Sequence, residues 1–442
     1  MIALCKRPRL LVALFRTANG SPLCFPGPTK AILPRSMDDP TRSAGGQGPG
    51  DGHFPFVSEP PAQLRQPMYV PKRLLLGPGP TNASPRVLQA GSLQLLGHLH
   101  PEFCQIMDDV RAGIKYALQT DSRWALAVSG TGHAAMEAAL GNLLESGERV
   151  LIASHGIWGQ RASDIADRLG ADVHVIKKDA GKYFSLSDIE KGLLENQPVL
   201  FFITHGESST GVLQSLDGIG ELCHRHGCLL LVDSVAALGG VPLYMDAQEI
   251  DALYTGSQKV LSCPPGPSPI AFSDRAWDKI IKRKSRIPSF YFDMTCLANY
   301  WGCDGEARRY HHTGPITSVY MLREGLAGLA EERLEKCWSR HAASAKRLHV
   351  GLKQLGLELF VQDEVARLPT VTTVCVPPNY AWKEVTDYLI TKYNIEISGG
   401  LGPTAGKVWR IGLMGYNSTA ETVDKVLNAL QDALTKCRHS KL

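Results

Sequence analysis

The stretch PVLFFITHGESSTGVLQSLDGIGELCHRHGCLLLVDSVAALGG, residues 198–240, alternates between two kinds of segment. PVLFFIT and CLLLV are apolar throughout, and LDGIGELCHRHG between them has the pattern of a helix. Uninterrupted apolar strands indicate burial on both faces, and strands alternating with helices predict a parallel sheet with right-handed crossovers. The same alternation runs from about residue 72 onward. We therefore predict an α/β fold with a mostly parallel central sheet flanked by helices.

A smaller unit follows from about residue 320, where the sequence changes character. The stretch from Met321 to about Leu355 predicts one long helix. TVTTVCVP and KVWRIGLMG then predict strands, and WKEVTDYLITKYN and AETVDKVLNALQDALTKC predict helices. A chain of 442 residues is also longer than one ordinary core requires. We expect a large domain over residues 72–330 and a smaller C-terminal α+β domain over residues 331–442.

Composition narrows the class of protein. The chain is 44% hydrophobic and 20% charged, which is typical of a soluble globular protein. No apolar run reaches the roughly 18 residues that cross a membrane. Six of the 47 basic residues and none of the 43 acidic residues lie in the first 37, so the body is slightly acidic and not a nucleic-acid binder. Eleven cysteines without a CxxC pair indicate reduced thiols in an intracellular protein.

Both ends of the chain resemble targeting signals. Residues 1–37 are arginine-rich and lack acids, which is typical of a mitochondrial presequence; a secretory signal and a disordered basic tail are the alternatives. The chain ends in Ser440-Lys441-Leu442, the peroxisomal tripeptide. We expect delivery to both the peroxisome and the mitochondrial matrix, with import receptors of both organelles as partners. Residues 38–71, rich in proline and glycine, predict a flexible linker and N-terminal arm.

Ligands bind outside the carboxyl ends of the strands in such sheets, so the residues that follow each strand are the candidate site. SGTGHAAMEAAL, residues 129–140, is a glycine-rich turn that opens a helix and suits a phosphate. Trp158 follows the strand RVLIAS, and Ser208 follows PVLFFIT. Taken singly, a helix start, a packed tryptophan and a capping hydroxyl are ordinary structural features. Asp233 directly follows CLLLV, where an unpaired buried carboxylate is costly.

Lys259 lies 26 residues after Asp233, in an uncharged turn between two apolar strands. Most lysines lie on solvated surfaces, so this setting favours a lysine used in chemistry. Pyridoxal phosphate needs a lysine amine, a carboxylate at its pyridine nitrogen, an anion site for its phosphate and a flat face for its ring. Lys259, Asp233, the SGTGH turn and Trp158 supply these four together. The sequence therefore predicts a pyridoxal-phosphate site.

Longer motifs are similar to those of the class V aminotransferases, which have fold type I of the pyridoxal-phosphate enzymes. They are LLLGPGPTN (residues 74–82), SGTGH, GIWGQRA, THGESSTGVLQ, LLLVDSVAALGG, YTGSQKVLSCPPG, YHHTGP and KVWRIGLMG. The resemblance covers the chain from about residue 68 to its end. It implies that Lys259 forms an imine with the cofactor and that Asp233 pairs with the pyridine nitrogen. Trp158 would stack on the ring, and Ser208 would bond the ring hydroxyl.

The resemblance also assigns the phosphate. Thr131, Gly132 and His133 would bind it through the start of the helix, and Gln258 would reach it from beside the lysine. Relatives often carry serine in the glycine-rich turn where this chain has Thr131, a change that preserves a backbone role.

The family further implies a homodimer with shared active sites. Tyr310 and Thr313, in RRYHHTGP, resemble the pair that the neighbouring subunit lends to the phosphate. Arg410 would bind the substrate carboxylate, because a guanidinium matches a carboxylate in a bidentate way. From the residues alone, Arg410 is an arginine in a strand, for which an ordinary surface ion pair is the alternative.

The expected reaction is ping-pong transamination between a small amino acid, such as alanine or serine, and glyoxylate or pyruvate. Lys259 would act as the general base at the substrate α-carbon. A lyase of the same fold, such as a cysteine desulfurase, and a non-catalytic binding protein are the alternatives. Desulfurases typically carry histidine before the lysine and a reactive cysteine on a mobile loop, and Gln258 occupies the first position here. The histidine-rich spots lack a second ligand cluster, so we expect no metal.

Overall fold

The computed structural model describes residues 59–438. The predicted presequence, most of the predicted linker and the C-terminal tripeptide therefore lie outside the described residues. The chain divides into two units, residues 1–69 and 70–442. The described part of the first contains a short 3₁₀ turn, Ala62–Arg65, with exposed side chains.

The second unit alternates strands and helices as the sequence predicts. The strands are β1 (Leu74–Leu75), β2 (Ala125–Val128), β3 (Arg149–Ser154), β4 (Asp172–Lys177), β5 (Leu200–Thr204), β6 (Gly206–Glu207), β7 (Val212–Leu213), β8 (Leu229–Asp233), β9 (Ala252–Tyr254), β10 (Ser268–Phe272), β11 (Val371–Cys375), β12 (Ile395–Glu396), β13 (Ser398–Gly399) and β14 (Val408–Gly412). The helices are α1 (Pro85–Ala90), α2 (Pro101–Leu118), α3 (Gly132–Leu143), α4 (Ile157–Arg168), α5 (Leu186–Asn196), α6 (Ile219–Arg225), α7 (Asp274–Ile281), α8 (Met294–Tyr300), α9 (Ile316–Glu332), α10 (Leu334–Gln354), α11 (Trp382–Tyr393) and α12 (Ala420–Lys436).

The central sheet has seven strands in the order β2-β10-β9-β8-β5-β3-β4. All neighbouring pairs are parallel except the two that β10 makes with β2 and β9. Strands β2, β5, β8, β9 and β10 are buried along their whole length, which is why they are apolar throughout. Strand β4 lies at the edge and is partly exposed. The predicted fold class, a mostly parallel sheet flanked by helices, is confirmed.

A second hydrophobic core lies in the C-terminal part, around the antiparallel sheet β11-β14-β13 and helices α10, α11 and α12. The N-terminal segment joins this core, because Leu76 is buried in it and β1 pairs with β12. Asn417 fixes the same segment by donating hydrogen bonds to the carbonyl of Leu75 at 2.9 Å and to Asn82 Oδ1 at 2.8 Å. The smaller C-terminal domain is thus completed by residues far from it in sequence.

The predicted single helix from Met321 to Leu355 is wrong in one respect: it is two helices, α9 and α10, separated at Arg333. Arg333 has φ 71°, a left-handed value that no helix interior allows. The following amide, of Leu334, donates to the Tyr116 hydroxyl at 3.2 Å instead of to a helical carbonyl. Helix α10 begins against the first core and ends in the second. The predicted boundary near residue 330 stays a prediction.

No helix among residues 59–438 has both the length and the apolar character required to span a bilayer.

Candidate functional site

The carboxyl ends of the parallel strands meet at one edge of the central sheet, and a cavity opens there. Its volume is about 320 Å³. The lining residues come from the ends of β8 and β9, from the segments that follow β2, β3 and β5, from the loop after β9, from the N-terminal segment, and from the C-terminal sheet with its adjoining loop. They are Pro78, Gly79, Thr131, Gly132, His133, Met136, Trp158, Gly206, Ser208, Asp233, Val235, Ala236, Tyr254, Gln258, Lys259, Ser398, Leu401 and Arg410. Nine of the eleven predicted site residues are thus brought together.

Tyr310 and Thr313 are the other two, and they do not line this cavity in the described part of the chain. Both side chains are exposed, and the Tyr310 hydroxyl lies 3.5 Å from Thr313 Oγ1. That position is what the sequence comparison with the family implies for residues lent to a neighbouring subunit. Their role stays a prediction.

Lys259 is buried, with 9% of its surface exposed, in the loop between β9 and β10. Its amine donates a hydrogen bond to the carbonyl of Pro78. Burial, reinforced by the charge of Arg410, lowers the pKa of Lys259 to about 8, although the charge of Asp233 opposes this shift. Gly79 allows the approach, because a Cβ there would overlap the lysine amine and its φ is 112°. The neutral, nucleophilic fraction of the amine near physiological pH is therefore much larger than for an ordinary lysine.

Asp233 ends β8 and is almost fully buried. Its Oδ1 accepts from the amide of Val235 at 2.9 Å, and its Oδ2 accepts from the Tyr254 hydroxyl at 2.9 Å. Burial raises the pKa of Asp233 to about 6, and these two hydrogen bonds and the charge of Lys259 oppose the rise. The carboxylate is held rigidly but lacks a full countercharge. A cation placed in the cavity beside it would be stabilised.

Residues 129–133, which we call the anion cradle, run from the end of β2 into the first turn of α3. The first amides of a helix have no partners within the helix, and the helix dipole makes this end positive. The Thr131 hydroxyl makes no capping bond to α3, so it is also free for a ligand. The carbonyls of Ser129 and Gly130 accept from the Tyr291 hydroxyl at 3.1 Å and from Ser268 Oγ at 2.9 Å. With those carbonyls occupied, the cradle offers donors to an anion.

Gln258 adds a polar group to the same cavity. Its Oε1 is buried and has no hydrogen-bond partner among the described residues. A buried unpaired amide is costly, and in native structures it usually marks a group that a ligand satisfies. An amide oxygen only accepts hydrogen bonds, whereas the Nε2 that takes its place after a half-turn of the amide donates them, as a phosphate requires. With that orientation of Gln258, the anion cradle, Lys259 and Asp233 fit the phosphate, the carbonyl carbon and the ring nitrogen that pyridoxal phosphate presents. The cavity therefore fits the predicted cofactor.

Trp158 lies in the first turn of α4 and faces the cavity. Its indole nitrogen donates to Ser208 Oγ at 2.9 Å, and its ring meets His133 edge to face at 5.6 Å. Because Ser208 Oγ accepts from the indole, its single hydrogen is left for another acceptor. The two predicted ring contacts, one flat face and one hydroxyl donor, are thus adjacent.

Arg410, on β14, has 7% of its surface exposed. Its Nε donates to the carbonyl of Gly399 at 2.8 Å, and one terminal nitrogen donates to the carbonyl of Ser208 at 3.3 Å. No carboxylate forms a salt bridge with it among residues 59–438, so the alternative of a surface ion pair does not describe it. Burial lowers the pKa of Arg410 to about 10. A buried guanidinium that forms no salt bridge within the described residues is suited to bind a ligand carboxylate.

Glu207 was not selected from the sequence, where the HGESSTG turn is explained by capping hydroxyls. The structure buries it completely. Its Oε1 accepts from the amide and hydroxyl of Ser209 at 2.9 and 2.6 Å, and its Oε2 accepts from the amide of Trp158 at 3.2 Å. Burial raises the pKa of Glu207 to about 7. The carboxyl group thus joins the helix that carries Trp158 to the strand end that carries Ser208.

Tyr254 and Pro78 were also missed. Tyr254 ends β9, so the same rule that selected Asp233 could have selected it. Pro78 belongs to GPGP, a turn motif whose contact with Lys259 crosses 181 positions of sequence and carries no local signal. Residues 59–438 contain no group of three or more His, Cys, Asp or Glu side chains arranged for a metal ion.

Comparisons with known proteins agree with this geometry. Residues 74–426 match the family described as Aminotransferase class-V. Alanine–glyoxylate aminotransferase of Callithrix jacchus is 58% identical over 87% of this chain and 92% of its own length. The (S)-ureidoglycine–glyoxylate transaminase of Bacillus subtilis is 37% identical over 84% of this chain and 93% of its own. The crystal structure of an alanine–glyoxylate aminotransferase from Nostoc has a TM-score of 0.83 at 46% identity, covering 86% of this chain and all of that one.

Glu207 makes a testable contribution to the stability of the cofactor-free protein. Its pKa is raised from 4.5 to about 7, so between these values the folded chain binds more protons than the unfolded chain. The free energy of unfolding therefore falls as pH rises through this window, by at most about 1.4 kcal/mol per pH unit for this group. We expect Glu207→Gln to flatten that slope in urea titrations between pH 5 and 7. The exposed Glu102→Gln is the control, and an unchanged slope in Glu207→Gln contradicts the assignment.

Proposed function

Because this chain belongs to the class-V aminotransferase family, we propose that it transfers the amino group of alanine to glyoxylate, with pyridoxal phosphate as its cofactor. The products are pyruvate and glycine. Serine and pyruvate are the second donor and acceptor that the same chemistry allows. Relatives named alanine–glyoxylate aminotransferase, at 55–58% identity, support the substrate pair.

The observation that carries this proposal is the shared cavity of Lys259, Asp233 and Arg410. When bound, pyridoxal phosphate supplies a protonated aromatic ring that takes up the electron pair left at the α-carbon of an amino acid. Asp233 would hold the ring nitrogen in its protonated form, and this cation would in turn stabilise the charged form of the carboxylate. The anion cradle and Gln258 would hold the phosphate, while Trp158 and Ser208 would hold the face and hydroxyl of the ring.

Lys259 would also serve as the base of the reaction. Its neutral amine would accept the proton of the substrate α-carbon at Nζ and return it later in the reaction. A base works best when its pKa lies near the working pH, and the pKa of about 8 meets this condition. The carbonyl of Pro78 limits where the amine can point, since it accepts a hydrogen bond from Nζ.

Arg410 orients the substrate. Of the five N–H donors of its guanidinium, two are used by the carbonyls of Gly399 and Ser208, and the others remain for a carboxylate. Alanine, glyoxylate, glycine and pyruvate all carry a carboxylate, so one arginine can serve both halves of a ping-pong reaction. Binding in the buried cavity also gives the guanidinium the countercharge that the protein withholds.

The size of the cavity favours small substrates. At about 320 Å³ it is near the lower end of the roughly 300–1,000 Å³ that ligand pockets span. Ser398 and Leu401 line it together with Arg410. Because the cofactor would share this volume with the substrate, a short side chain is favoured. This supports alanine and serine as donors over larger amino acids.

A cysteine desulfurase is not supported. The structural similarity to a cysteine desulfurase from Thermococcus onnurineus, at 15% identity and a TM-score of 0.65, concerns the fold alone. None of the cysteines of residues 59–438 lines the cavity. Cys263, four positions after the lysine, is buried, and burial raises its pKa to about 12, which suppresses the thiolate.

The test of the proposed function is a donor panel with glyoxylate and pyruvate as acceptors. We expect alanine with glyoxylate to be the best pair and double-reciprocal plots to be parallel. Lys259→Ala should lose the visible absorbance of the bound cofactor and lower kcat by at least about 10³, because both the covalent anchor and the base are removed. The exposed Lys282→Ala is the matched control. A purified protein that takes up no pyridoxal phosphate, or intersecting plots, contradicts the proposal.

We further propose a homodimer in which Tyr310 and Thr313 complete the partner's phosphate site. Their exposure outside their own cavity supports this arrangement. Mixing Lys259→Ala with Tyr310→Ala, each expected to be poorly active alone, tests it. Random exchange of subunits should restore about a quarter of the wild-type sites, because one site of each mixed dimer then carries no defect. If both residues served their own chain's site, mixing would restore nothing.

The proposed destinations are the peroxisome and the mitochondrial matrix. The C-terminal Ser-Lys-Leu and the arginine-rich, acid-free first 37 residues support them. We expect deletion of residues 440–442 to remove the peroxisomal fraction and to leave the mitochondrial fraction, with the reverse result for deletion of residues 2–37. Microscopy of fluorescently tagged chains, with the tag placed internally after residue 45, measures both fractions. A distribution unchanged by either deletion contradicts the corresponding signal.

A further inference from the structure

The segment Tyr310–Thr313 has two inner and two outer residues with different surroundings. Tyr310 and Thr313 are exposed, whereas His311 is buried and His312 half-buried. The two imidazoles contact each other, with 2.8 Å between their Nδ1 atoms. The outer pair already has a proposed role in the partner's site. The inner pair faces its own chain.

The hydrogen bonds of this pair all donate in the same direction, from Ser129 toward Phe290. His311 Nε2 lies 3.0 Å from the carbonyl of Phe290, which can only accept, so this nitrogen carries a hydrogen. In a neutral ring the Nδ1 of His311 is then an acceptor, and it must receive the hydrogen on Nδ1 of His312. The Nε2 of His312 is left as an acceptor. It lies 2.7 Å from Ser129 Oγ, which therefore donates to it.

Ser129 is the first residue of the anion cradle. Its hydroxyl is held by His312, and its carbonyl accepts from the Tyr291 hydroxyl at 3.1 Å. The hydroxyl and the carbonyl of Ser129 are thus both held by hydrogen bonds, one with His312 and one with Tyr291. The orientation of Ser129 sets where the following amides point.

Aromatic rings hold the two imidazoles in place. His312 lies between the rings of Tyr291, at 5.0 Å, and Tyr300, at 5.3 Å. Phe290 stacks on His311 at 4.7 Å with 16° between the planes. The hydrogen-bonded chain from Phe290 to Ser129 is therefore lined by aromatic rings, from the buried Tyr300 at its inner end to Phe290, which is 70% exposed, at its outer end.

We propose that His311 and His312 position the anion cradle of their own chain through Ser129 and couple it to the outer residues that serve the partner's phosphate. This inference rests on the proposed function, since it requires the cofactor and the shared dimer site. Phosphate bound in one cradle would fix Ser129 and His312, and through them the placement of Tyr310 and Thr313 at the other site. Each site would then help to form the other.

The test compares pyridoxal phosphate with pyridoxal, which lacks the phosphate, as ligands of the cofactor-free full-length dimer. In His312→Ala we expect the Kd of pyridoxal phosphate to rise about tenfold and the Kd of pyridoxal to stay unchanged. His312→Gln can keep an acceptor near Ser129, so it should recover most of the affinity. Ser129→Ala should resemble His312→Ala, and the double variant should be no weaker than either, because the two act as one unit.

His349→Ala is the matched control. This histidine is half-buried and also pairs with a hydroxyl, Thr372 Oγ1 at 3.0 Å, but it lies outside the cavity lining. Equal weakening of both ligands in His312→Ala, or no weakening in either His312→Ala or Ser129→Ala, overturns the positioning role. Failure of the wild-type protein to bind pyridoxal phosphate overturns the proposed function as well, so the two failures are distinguishable.

A separate experiment tests the coupling between the two sites of the dimer. Titration of the wild-type dimer with pyridoxal phosphate should give a Hill coefficient between 1 and 2, and His312→Ala should reduce it to 1. A wild-type coefficient of 1 overturns the coupling, and a coefficient that is unchanged in His312→Ala shows that it does not pass through this pair.

Discussion

The site depends on ionisable groups that the protein buries without fully neutralising them. Burial lowers the pKa of Lys259 to about 8 and of Arg410 to about 10, and raises that of Asp233 to about 6. Each shift moves the group toward its neutral form, because the surrounding protein does not fully compensate the cost of burying its charge. A ligand that brings a ring cation and a carboxylate supplies the missing partners. The same charge interactions then give the ligand both its affinity and its orientation.

The topology of the sheet determines where these groups can meet. If β10 ran parallel to β9, the connection between them would have to return to the amino ends of the strands. Strand β10 instead runs antiparallel to β9. The loop between them therefore begins and ends at the carboxyl edge, and Lys259 stays there with Asp233. The same reversal places Ser268, the first residue of β10, beside Gly130 of the anion cradle. One antiparallel strand thus serves both the lysine and the phosphate ends of the site.

The features that the sequence could predict are those that depend on residues close together in the chain. Asp233 and the anion cradle are given by local patterns, because a strand end or a helix start is visible in a few residues. Glu207 was not predicted as a site residue, because the hydroxyl residues beside it already explained the turn. Pro78 was not predicted either, because its contact with Lys259 joins residues far apart in the sequence. The end of helix α9 at Arg333 was not predicted, because no glycine or proline lies there to indicate it. Tyr310 and Thr313 could be selected only through the family, as nothing in one chain shows their use.

The N-terminal segment explains how two separate cores keep one geometry. Leu76 is buried in the C-terminal core, and its carbonyl accepts from the amide of Gly412 at 2.7 Å, next to the strand position of Arg410. Two residues later, Pro78 accepts from Lys259. Thr81 returns to the lysine loop, where its amide donates to the carbonyl of Gln258 at 3.0 Å. The short stretch from Leu76 to Thr81 is thus hydrogen-bonded both to the lysine loop and to Gly412, two residues after Arg410 on the same strand, so it helps to set the distance between the carboxylate-binding arginine and the proton-accepting lysine.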